Sequence, residues 1–93
     1  MSYSDPRVAF KLGAMLQSVE DRVVYSKPKV SELIRELERL KDALEEGDRD
    51  LVDSWLEYLR GHYSGFDELD PDDRKALVED MKALRERVAE KIR

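Results

Sequence analysis

The sequence contains no cysteine, no asparagine and no threonine, with one glutamine and one histidine. Without cysteine there is no disulfide framework, no thiolate metal site and no cysteine nucleophile. A carboxylate-bridged metal bundle needs Glu-x-x-His twice, and here Leu59 stands three residues before the lone His62. As a metal ligand, His62 would need at least two more donors, and only Asp67 and Glu68 are near it in sequence. A Ser-His-carboxylate triad would have to draw on His62 and Ser64, and neither is set in a strand-turn-helix elbow. None of the four glycines (Gly13, Gly47, Gly61 and Gly65) frames a Lys-Ser or Lys-Thr pair, so no phosphate loop is present. Asp48, Asp50 and Asp53 miss the spacing of a calcium loop. The expectation is a chain without cofactor, metal centre or catalytic residues.

Long apolar runs are absent as well. The longest is three residues, as in Ala14 to Leu16, too short for a membrane span or a secretory leader. The opening Met1-Ser2-Tyr3-Ser4 carries no targeting pattern, and the expected location is cytoplasmic.

What is present is charge. Of 93 residues, 42% are charged, with 17 basic against 22 acidic side chains and a net charge of −5. That balance argues against a protein dedicated to coating nucleic acid. Few amides and many charges also suit a thermophilic source, and small size with acidity suits a viral one. The length fits a single domain over residues 1–93 that buries roughly 60–65% of its unfolded surface.

Hydrophobic spacing predicts four helices and no strand. The first runs from Pro6 to Tyr25, capped by Asp5, with Val8, Leu12, Met15, Leu16, Val19 and Val23 on one stripe. The second is read from Pro28 to Glu46, with Gly47 as its stop. The third starts at an Asp48 cap and runs to Arg60, with Gly61 to end it; its broad apolar arc marks the most deeply buried helix. The fourth begins at Asp70-Pro71 and runs to the C-terminus, acidic at its start and basic at its end, as the helix dipole favours. Short links favour antiparallel neighbours, so the expected fold is an all-α antiparallel bundle. Outer faces of the second and fourth helices carry pairs such as Glu32–Arg35, Glu36–Arg39, Glu38–Lys41 and Lys75–Glu79 at intrahelical spacing.

Three features are candidates for binding. On a second face of the first helix, Ala9, Gly13 and Gln17 are spaced by four beside Phe10. A glycine inside a helix costs about 1 kcal/mol relative to alanine, which invites close approach of another helix. That helix is either intramolecular or a partner's. Tyr63 and Phe66 lie in the least regular stretch, as interface anchors or as plugs for the bundle end. Arg22, Lys27 and Lys29 surround the start of the second helix, as an anion-facing corner or as a solvated turn paired with Glu20, Asp21 or Glu32.

The reading that follows is a non-enzymatic protein–protein interaction module: a small acidic helical regulator, inhibitor or assembly subunit, expected to form a homodimer. A second reading is a nucleic-acid-associated regulator with Arg7, Lys11, Arg22, Lys27 and Lys29 as its contact strip. A third is a small helical enzyme for an anionic metabolite, which requires a concave pocket with converging Arg or Lys.

Overall fold

The computed structural model describes residue 3, residues 5–63 and residues 67–92. Four helices account for most of them: α1 (Pro6–Tyr25), α2 (Val30–Ala43), α3 (Glu46–His62) and α4 (Pro71–Ile92). No strand occurs among the described residues, and no helix there is long and apolar enough to cross a membrane.

Cross-helix contacts fix the topology. Lys41 pairs with Asp53 and Glu38 with Arg60, so α2 and α3 run antiparallel. Trp55 bonds Asp80 and Tyr58 bonds Asp73, which sets α4 antiparallel to α3. Glu20 meets Arg85, closing α1 against α4. The bundle is thus an up-down-up-down ring, with the first and last helices side by side. Leu12, Leu16, Val23, Leu33, Leu37, Leu40, Leu59, Leu77, Met81 and Leu84 fill its axis, each almost fully buried. Each is worth roughly 1.5–3 kcal/mol when removed from water.

Helix α1 starts and stops where the sequence places it, because Asp5 accepts the Arg7 N–H at 2.9 Å and Pro6 occupies the first position. The other boundaries shift. Helix α2 begins at Val30 rather than Pro28, since the Val30 N–H donates to the Asp67 carbonyl at 2.9 Å and Lys29 bridges to Glu68. It stops at Ala43, short of Gly47. Leu44 turns to an extended conformation and buries itself, and α3 starts at once from Glu45. Gly47 therefore lies inside the first turn of α3, and Glu46 sits at a helix N-terminus, where its charge is favourable. Asp48 is not the cap but a buried residue of the first turn. Gly61 does not end α3, which runs on to His62 and is capped by Tyr63.

Ion pairs also differ from the intrahelical expectation. Glu32 and Glu36 both pair with Arg22 of α1, Glu38 with Arg60, and Lys41 with Asp53. Packing brings these opposite charges together across helix seams, where they guide register more than they add stability. The broad apolar arc of α3 is not wholly buried either. Leu51 and Tyr58 remain half-buried at a shallow hollow against α4.

One anchor lies outside the helices. Tyr3 is 2% exposed and inserts its ring at the bundle end formed by the α2–α3 turn and the C-terminal part of α4. Its hydroxyl donates to Asp48 at 2.9 Å and accepts the Glu45 N–H at 2.7 Å. Arg87 and Lys91 complete the cluster on Asp48, at 3.1 and 2.9 Å. Burial works to raise the Asp48 carboxyl, but hydrogen bonds from Lys91 and Tyr3 and the nearby positive charges outweigh it and hold the group below its ordinary value.

Candidate interaction surface

Helix α1 is amphipathic in an unusual sense, because its outward face also carries large apolar side chains. Leu12, Leu16, Val19 and Val23 point into the core, and Glu20 is buried facing Arg85 of α4. On the opposite side, Phe10, Ala14, Gln17, Asp21 and Val24 step by four and three residues along one line, with Tyr25 beside its end. Phe10 is 82% exposed, Tyr25 81% and Val24 43%. These three are the exposed large hydrophobic side chains among the described residues, and all belong to this face.

The middle of the face is small and weakly charged. Gln17 donates to Asp21 at 3.0 Å, one turn along. Among the described residues, no heavy atom lies within 4 Å of where a Cβ on Gly13 would stand, so no described helix packs over it. Close intramolecular packing is therefore not observed over Gly13 itself. Ala9 and Gly13 are half-buried along the edge nearer α4, while Phe10 and Gln17 stand in solvent. On the α2 side, a groove of about 530 Å³ runs beneath the face, floored by Leu12, Met15 and Ala43 and rimmed by Arg7, Lys11 and Arg39.

The other candidate residues are placed elsewhere. Tyr63 is half-buried against the core; its hydroxyl donates to Asp73 and accepts the Asp70 N–H. Its phenol is pushed up to about 12, first by burial and then by the hydrogen bond to the Asp73 carboxylate. Tyr63 thus closes the bundle end, and Phe66 lies outside the described residues. Tyr58 stacks on His62 and also donates to Asp73. At the basic corner, Arg22 is held by Glu32 at 2.9 Å and by Glu36. Lys27 is exposed and takes a left-handed backbone (φ 48°) that reverses the chain. Lys29 is exposed, and its carbonyl accepts the Glu32 and Leu33 N–H groups of α2. The corner is thus a tight turn in which, among the described residues, Arg22 is the cation held in ion pairs.

Sequence reasoning found Phe10, Gly13 and Gln17 but missed Val24 and Tyr25, which it read as the end of a helix and the start of a turn. Their spacing from Phe10 was the available signal. No protein-family model, no curated protein and no solved structure matches the chain.

Proposed function

We propose that this chain is a non-enzymatic protein-interaction module, a small cytoplasmic regulator or assembly subunit whose contact surface is the outward face of α1. One observation carries the reading: Phe10, Val24 and Tyr25, the exposed large hydrophobic side chains among the described residues, share that single face. In a chain with 42% charged residues, such a cluster is costly unless it is covered. Aromatic residues with small neighbours are also what interface cores favour, since they bury much area for little lost side-chain freedom. The nucleic-acid reading has less support, because Arg22 spends its charge on Glu32 and Glu36.

The test is a photo-cross-linking residue placed at Phe10 in cells that express the protein, compared with the same group at the exposed Glu57 of α3. Covalent adducts to protein at Phe10, with few at Glu57, are the expected result. No adduct at Phe10, or equal yields at both sites, contradicts the reading.

A further inference from the structure

We infer that the occupant of the α1 face is a second copy of this chain, packed antiparallel about a two-fold axis beside Gln17 and Ser18. The inference rests on the reading of α1 as the contact surface and names its partner. Its first support is the symmetry of the face. Gln17 and Ser18 lie midway between Phe10 at one end and Val24 and Tyr25 at the other. An axis at that midpoint sets Phe10 of each copy against Val24 and Tyr25 of the other, so each exposed apolar group meets another. This is the self-complementarity a closed two-fold dimer requires.

Charge selects the direction. In a parallel pairing Asp21 would face Asp21, two like charges in one seam. In the antiparallel pairing Asp21 faces Ala14, and the partner's Lys11 lies about one helical turn away, within reach of the carboxylate. Both Asp21 and Lys11 are exposed, and neither forms an ion pair among the described residues. The unfilled space over Gly13 and the short side chain of Ala14 let the two backbones approach.

Area sets the strength. Phe10, Tyr25 and Val24 together offer on the order of 400 Å² of apolar surface per copy. With the polar rim, the total buried area is on the order of 1,000 Å², the low end for a specific interface. The dimer is therefore weak and concentration-dependent.

Absence of cysteine makes the register directly readable. In Gln17→Cys the two thiols lie at the axis and oxidation links the copies. In Ala14→Cys they lie about 10 Å apart along the helices, beyond the reach of a disulfide. Sedimentation equilibrium of the unsubstituted chain from micromolar to millimolar concentration is expected to show monomer giving way to dimer. Phe10→Asp and Tyr25→Asp are each expected to shift that transition at least about tenfold upward in concentration, with the helical circular-dichroism signal unchanged. Linking at both cysteine sites in equal yield, or only at Ala14→Cys, overturns the antiparallel register. A monomer at every concentration overturns the second copy as occupant. If Phe10 then cross-links to a different protein in cells, the interaction reading survives and this inference fails; if it cross-links to nothing, both fail.

Discussion

The Tyr3 hydroxyl lies 2.9 Å from Asp48 Oδ2, a buried contact spanning 45 positions of sequence. It ties the N-terminal segment to the first turn of α3, and Lys91 from α4 reaches the same carboxylate oxygen at 2.9 Å. Three separate parts of the chain are thereby fastened at one end of the bundle.

Removing the hydroxyl alone, as in Tyr3→Phe, leaves the Glu45 N–H without its acceptor and Asp48 without one of its three donors. The expected loss is about 1–2 kcal/mol of unfolding free energy. Tyr3→Ala also removes the ring from its pocket, for about 3–5 kcal/mol. Urea denaturation followed by the emission of Trp55, the chain's one tryptophan, reads both. Equal stability of Tyr3→Phe and the unsubstituted chain would show the bond to be idle.

The same cluster gives stability two pH limits. Burial, with the adjacent Asp48 carboxylate, raises the Tyr3 phenol to about 12 against the donated Glu45 N–H, so the folded state favours the protonated phenol. Its contribution is complete below the unfolded value of 10.0 and is lost as pH rises towards about 12. Asp48 has the opposite sign. Its lowered folded value means that stability is present above the unfolded value of 3.8 and fades as pH falls through the folded one. Denaturation across pH is expected to show both limbs, with Asp48→Asn flattening the acid limb and Tyr3→Phe reducing the alkaline one, to which the raised Tyr63 phenol also contributes. An unchanged acid limb in Asp48→Asn would refute its part.

Gly13 and Gly61 occupy helices where, among the described residues, nothing lies within 4 Å of an added Cβ. Alanine at either position is expected to stabilise the fold by about 0.5–1 kcal/mol, measured as a higher denaturation midpoint. Gly13→Ala also retains a small side chain, so dimer mass is expected to persist. Destabilisation by Gly13→Ala would mean that the space over α1 is filled.

The helices were legible because their signals are local: Asp5 and Pro6 announce α1, and leucines at three and four residue steps announce α2. Gly47 and Asp48 misled for a physical reason. Their roles are set by Leu44 turning inward and by Tyr3, Arg87 and Lys91 arriving from about forty positions away. Likewise, Arg22 reads as a free cation in a basic turn until α2 brings Glu32 and Glu36 against it. The α1 face was half legible. Phe10 stood off the core stripe in sequence, but Tyr25 resembles any helix-end residue until its 81% exposure is seen beside Phe10.

The most direct measurement is a dilution series followed by nuclear magnetic resonance, with backbone and aromatic signals tracked from millimolar to micromolar concentration. Association through α1 requires concentration-dependent shifts at Phe10, Ala14, Gln17, Asp21, Val24 and Tyr25, with Trp55 and Tyr58 on the α3–α4 side unmoved. Shifts centred on Trp55 and Tyr58 while Phe10 and Tyr25 stay fixed, or no shift anywhere, would contradict it.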